Sequence, residues 1–295
     1  MKNFLSFIAL ALALCTQLVA ATPLQDRSIP PATLRELFAA LGIQEHDVIS
    51  QTQREWLRPS TQERWQQNEL SAEKRQYVLS WAQKAGLFSP WTPSQSSYNK
   101  ALILGATTPL MQTRLQYLKK LWDQGVRFGE IVWLTGERPL DRSVDGPSEG
   151  CQTESEAAKL VWQRADLPKA MRELSVTFIT VPMKVVDGAW KRPNTEDTLI
   201  AWGRIASSPC SCLFVSDQPF CGYQSAVIEA ALPDEFLFDV VGDGEENPTQ
   251  HPAAAAITLD SLARTIYQTS LNTSKRSHTP APVQKKPCPC GSKNL

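Results

Sequence analysis

The stretch Lys100-Ala101-Leu102-Ile103-Leu104-Gly105-Ala106-Thr107-Thr108 passes from an unbroken apolar run to glycine and hydroxyl residues. A strand of a parallel sheet reads this way, because helices cover both of its faces and neither face needs polar residues. The same rhythm recurs downstream. Residues 110–125 carry Leu115, Leu118 and Trp122 at helical spacing, Ile131-Val132-Trp133-Leu134 is a second apolar run, and residues 154–165 form a second helix. Strands over 176–181, 212–215 and 236–241 then alternate with helices over 195–206, 222–231 and 259–271. Alternation with short connections implies right-handed crossovers and a doubly wound, mostly parallel, Rossmann-like α/β sheet. The domain spans residues 94–271, its nucleus lies between Lys100 and Gly242, and the expected strand order is 3-2-1-4-5.

Upstream, Ile29-Pro30-Pro31 opens a helix with Leu34, Leu37, Phe38 and Leu41 on one face and Gly42 as its stop. A second helix is expected over 59–67, and a third from a Ser71 cap through Tyr77, Val78 and Trp81 to Gly86. Residues 22–93 therefore read as a small helical subdomain and linker. It has no basic recognition face, which sets DNA binding aside. Residues 272–295 are rich in Ser, Thr, Pro and Lys and are expected to be a disordered tail.

Residues 1–21 read as an export signal: Lys2, an apolar run over 4–14, and Val19-Ala20-Ala21 before Thr22 as the cleavage site. The expected location is periplasmic or secreted. Beyond Cys15 the cysteines are Cys151, Cys210, Cys212, Cys221, Cys288 and Cys290. An oxidising compartment permits disulfides, so a bridge within the group Cys151, Cys210, Cys212 and Cys221 is expected ahead of a catalytic thiol, with free buried cysteines as the other outcome. Thirty basic residues balance thirty acidic ones, so no global field points to nucleic acid. Nine Trp suggest a well-filled core or an aromatic cleft.

Ligands of open α/β sheets bind outside the carboxyl ends of the strands. The loops there hold Gly105 and Thr107, then Thr135, Gly136, Glu137 and Arg138, then Lys184, then Ser216, Asp217 and Gln218. Arg114 lies early in the helix after the first strand, Glu156 completes a capping box with Thr153, and Thr195 opens another helix that an anion could cap. No dinucleotide fingerprint or Walker sequence occurs. His46, His251 and His278 fall outside these loops, which argues against a histidine triad or metal centre. Acid–base chemistry then falls to Glu137 and Asp217.

In their order, Leu102-Ile103-Leu104-Gly105, Arg114, Thr135-Gly136, Glu154 or Glu156 with Ala157, and Asn194-Thr195-Glu196-Asp197-Thr198 resemble the SanA/YdcF/ElyC-type family of bacterial envelope-associated α/β proteins. The match covers about half of the chain. It implies a Rossmann-like fold, association with the cell envelope, and metabolites of peptidoglycan precursor or nucleotide type. The family has a His and an Arg after its fourth strand; here Phe220 or Cys221, and Tyr223 or Gln224, stand in those places. The tail Lys286-Pro287-Cys288-Pro289-Cys290 resembles half of the zinc-binding motif at the SecA C-terminus, and half a site gives no metal centre in one chain.

The expectation is an exported protein that binds or transforms a small anionic, phosphorylated or nucleotide-like ligand. Arg114, Arg138 and Lys184 would hold charge, Thr135 and Ser216 would orient the ligand, and no particular cofactor is indicated. The alternatives are a non-catalytic scaffold of the envelope, or a structural protein whose helical part contacts a partner. The composite site requires Arg114, Thr135, Glu156, Lys184 and Ser216 to line one cleft.

Overall fold

The strands are β1 (Thr22–Pro23), β2 (Ser97–Leu104), β3 (Arg127–Gly136), β4 (Ser175–Val181), β5 (Lys184–Val186), β6 (Ala189–Lys191), β7 (Ser211–Asp217) and β8 (Leu237–Asp243). In the computed structural model all but β5 and β6 form one parallel sheet in the order β1-β8-β7-β2-β3-β4. The structure describes residues 21–278 apart from 60, 61, 63–66, 68, 69, 148, 207 and 246–249. Nearly all of the signal segment, most of the helix expected over 59–67, and Cys288 and Cys290 lie outside the described residues. The five strands read from the sequence stand in the expected order, and β1 adds a short edge beside β8.

The helices are α1 (Pro31–Leu41), α2 (Val48–Glu55), α3 (Ala72–Lys84), α4 (Thr108–Asp123), α5 (Arg142–Asp145), α6 (Glu154–Arg164), α7 (Lys169–Arg172), α8 (Thr195–Gly203), α9 (Cys221–Ala231) and α10 (Ala254–His278). Side chains alternate across a strand, and the register keeps one parity on each face of the sheet. Ala101, Ile103, Ile131, Trp133, Leu213 and Val215 face α4 and α6. Leu102, Leu104, Val132, Leu134, Phe214 and Phe238 face α8 and α9. Helices thus cover both faces, and winding reverses between β2 and β7, the topological switch point.

α1, α2 and α3 do not close a core by themselves. Leu37, Phe38, Trp56, Val78 and Trp81 pack with Ala255, Leu259, Leu262 and Ala263 of α10. α10 also runs past both bounds read from the sequence, so residues 272–278 are helix rather than disordered tail. Their polar composition hides the reason: Asn272 is buried and donates to the Ala226 carbonyl at 2.9 Å, and Arg276 pairs with Glu229. α2 was not foreseen, nor was the β5–β6 hairpin, which turns on Asp187 and Gly188, both at positive φ. Trp91 exchanges two backbone hydrogen bonds with Gly242, tying the linker to the end of β8.

Much of the aromatic content packs in the core, while Trp190 on β6 stands exposed. Trp133 stacks on Phe178, and Trp202 meets Phe214 and Phe236 edge-on. The bridge expected among the cysteines is not formed: Cys151, Cys210, Cys212 and Cys221 are free thiols. Cys210 and Cys212 place their sulfurs 3.6 Å apart at the start of β7, and Cys221 is fully buried at the sheet's other end. No helix of the described residues is long and apolar enough to cross a membrane.

Candidate functional site

A cleft of about 840 Å³ opens at the switch point. Its floor is the loops after β2 and β7, one wall comes from the loops after β3 and before α8, and α10 with the helical layer supplies the other wall. Of the residues expected there, Gly105, Thr107, Arg114, Gly136, Arg138, Thr195, Asp217 and Gln218 line it.

Arg114 occupies a core position on α4, between Met111 and Leu118 on the apolar stripe. A guanidinium there must be paired. Asp217, at the end of β7 on the same face of the sheet, supplies the partner: Nε donates to Oδ1 at 2.6 Å, and Nη2 pairs with the same oxygen. Nη1 donates to the carbonyls of Leu104 and Gly105 at 2.6 and 3.0 Å. Arg114 therefore clamps the ends of β2 and β7 together and is a positioning residue.

Arg138 plays the same part after β3. It holds Asp145 in a bidentate pair at 2.9 and 3.0 Å and donates through Nε to Glu154 at 3.1 Å. Burial alone would raise the Asp145 carboxyl, but bonds from Arg138 and from the amides of Asp141 and Thr108 outweigh it, and the group sits below its ordinary range. Glu154 moves the other way, because burial outweighs the pull of Arg138 and the Gly136 amide. Two glycines make room for this arrangement. A Cβ on Gly105 would stand 2.2 Å from Glu154 Oε1, and one on Gly136 would stand 2.3 Å from Pro193 Cγ.

The composite site fails as it was put together from sequence. Among Arg114, Thr135, Glu156, Lys184 and Ser216, Arg114 alone lines the cleft. Thr135 is buried and donates to the Ile179 carbonyl at 2.9 Å, a stitch between β3 and β4. Glu156 is spent on its capping box with Thr153. Lys184 sits on the hairpin and pairs with Asp197 at 2.7 Å. Ser216 is buried, and its hydroxyl has no hydrogen-bond partner among the described residues. Glu137 is exposed and does not line the cleft either. Thr135 and Ser216 belong to β3 and β7, and successive residues of a strand point to alternate faces, so proximity in sequence to a strand end does not place a side chain in the crevice.

No protein-family model matches the chain, and no solved structure matches it. It is similar to uncharacterized proteins of Mycobacterium bovis and Mycobacterium tuberculosis, 26% identical over 227 residues. The match spans 63% of this chain and 63% of each relative.

Several lining residues escaped the sequence reading. Arg264 lies in the middle of α10, bound to buried Asp260 at 2.9 and 3.0 Å, and Arg58 of the helical layer donates to the same carboxylate at 3.2 Å. Tyr223 places its hydroxyl against Arg264, and Gln224 follows it on α9. His251, outside the strand-end loops read from the sequence, lines the cleft from the segment before α10. Its Nδ1 accepts the Ala253 amide at 3.1 Å, which leaves the proton of the neutral ring on Nε2. The i, i+4 pair Asp260–Arg264 was a legible signal, but α10 lies beyond the last of the strand-end loops in sequence and meets them only through packing, as where Ser261 donates to the Pro219 carbonyl at 2.9 Å.

Proposed function

We propose that the chain binds a small anionic ligand, phosphorylated or nucleotide-like, in the cleft at the switch point. The observation that carries this reading is the sharing of one buried carboxylate, Asp260, between two guanidinia that line the cleft, Arg58 and Arg264. Guanidinia match phosphate and carboxylate geometry, and a cleft with low-dielectric walls strengthens their field. The volume suits a ligand of metabolite size. The resemblance to envelope-associated proteins and the signal-like N-terminus support an exported protein that meets this ligand at the cell envelope.

A second reading, a binding module without chemistry, is favoured by the state of the carboxylates: Asp217 and Glu154 are each engaged by a buried arginine. Asp217 remains the acid–base candidate if the ligand is transformed. A thermal-shift screen of the full chain against nucleotides, sugar nucleotides and sugar phosphates tests the reading, because a ligand that binds the native state raises the melting temperature. Shifts that Arg264→Gln abolishes support it. An intact fold that no anion stabilises overturns it. Turnover of a stabilising ligand, lost in Asp217→Asn, separates an enzyme from a binding module.

A further inference from the structure

We infer that Cys210 and Cys212 form a thiol–disulfide exchange site, in which Cys210 attacks a substrate disulfide and Cys212 resolves the mixed disulfide. The site stands at the amino end of β7, at the opposite end of the strands from the cleft, and is independent of the function proposed above.

Residues two apart in an extended chain point to the same side. Cys210 and Cys212 both pack on the α8–α9 face of the sheet, and their sulfurs stand 3.6 Å apart. Lys100 of β2 lies beside Cys212 in register, and Glu130 of β3 lies beside Lys100 and pairs with it. Access divides the two thiols. Cys210 is half-buried and follows the exposed Ser208 and Pro209, whereas Cys212 is fully buried. An incoming disulfide therefore meets Cys210, and the Cys212 sulfur reaches it only through Cys210. The hydrogen bond from Cys212, with help from the charge of Lys100, holds the Cys210 thiol down to about 7. The thiolate is the attacking form, and a thiol that titrates near ambient pH attacks best.

In the first step the Cys210 thiolate, its proton lost to solvent, bonds to one sulfur of the substrate. The substrate S–S bond breaks, and one thiolate leaves with the electron pair. Cys212 then gives up its proton and attacks the Cys210 sulfur, which expels the second thiolate. The two leaving thiolates take up two protons. The cysteine pair is thus oxidised by two electrons, and the substrate disulfide is reduced to two thiols.

The bridge so formed closes only Cys210-Ser211-Cys212. The β7–β8 ladder already extends to Cys210, whose carbonyl accepts the Leu237 amide at 3.3 Å. Extended residues two apart put their Cα atoms about 6.5 Å from each other, near the upper limit of ~6.8 Å for a disulfide. A bridge at that limit is strained and readily reduced, which suits exchange better than a permanent staple.

Incubation of the reduced full chain with oxidised glutathione, followed by acid quenching, alkylation and peptide mapping by mass spectrometry, tests the assignment. The map separates these sulfurs from Cys15, Cys288 and Cys290 of the same chain. The wild type is expected to end with a Cys210–Cys212 bridge, and excess reduced glutathione is expected to open it. Cys212→Ser is expected to stop at a persistent glutathione adduct on Cys210. Cys210→Ser is expected to leave Cys212 unmodified in the native protein, and an adduct on Cys212 there overturns the division of roles. A persistent adduct on Cys210 in the wild type overturns the inference, as does a bridge from either residue to another cysteine. A Cys210–Cys212 bridge that excess reduced glutathione cannot open is a structural staple and overturns the exchange role. No reaction at Cys210 overturns the site altogether. If Cys212→Ser fails to fold, Cys212→Ala gives the same readout without adding a hydroxyl to the core.

Discussion

The guanidinium of Arg114 on α4 closes onto the carboxylate of Asp217 at the end of β7, Nε to Oδ1 at 2.6 Å, with both residues buried. The same guanidinium holds the last carbonyls of β2, so one side chain sets the width of the switch point on which the cleft is built. Charge placed in this way organises the site.

Removing one partner of this pair strands a buried charge. Arg114→Met is expected to cost roughly 3–5 kcal/mol, and Asp217→Leu a comparable amount. The double variant is expected to cost less than the sum, because neither charge is then left alone. Urea denaturation reads all three; strictly additive losses would show that the pair does not act as a unit.

Gly105→Ala is expected to destabilise by about 1–3 kcal/mol, since its Cβ would stand 2.2 Å from Glu154 Oε1 and 2.7 Å from the Leu134 carbonyl. Glu154→Ala removes the first obstacle and leaves the second, so part of the loss is expected to return in the double variant. Full additivity in thermal melts would place the strain elsewhere.

Stability is expected to depend on pH in two opposite ways. The Asp145 carboxyl sits below its ordinary 3.8, so its contribution is present above that value and lost as pH falls through the lower folded pKa; Asp145→Asn should flatten the acid limb. Glu154 sits above its ordinary 4.5, so its contribution is present below that value and lost as pH rises through the higher folded pKa. Glu154→Gln should remove that decline. Melting temperatures across the acid-to-neutral range decide both, and an unchanged slope in either variant would refute that half.

The Cys210 thiol is lowered to about 7 by its hydrogen bond with Cys212, against burial and with help from Lys100. The same bond and burial raise Cys212. Iodoacetamide is therefore expected to label Cys210 before Cys212 and the fully buried Cys221, and Cys212→Ala should slow the labelling of Cys210. Mass spectrometry locates the label; a faster Cys212 would reverse the assignment of thiolate and donor.

The apolar runs at Leu102, Val132 and Phe214, with those over 176–181 and 236–241, were enough to establish five parallel strands, because strands buried on both faces are nearly free of polar residues and parallel crossovers have one hand; their order was decided by the tertiary structure. The sequence also determined that loop residues such as Gly105, Arg138 and Asp217 would gather at one edge. It could not decide which of them face the crevice. Thr135 and Ser216, read from the sequence as loop residues, are the penultimate residues of β3 and β7 and turn into the protein, since direction along a strand depends on the pleat and the twist. The tertiary structure alone brought Arg58 together with His251 and Arg264 at the cleft, across about two thirds of the chain's length. Contacts of that span arise from the packing of α10 between the helical layer and α9, and no local pattern of residues encodes them.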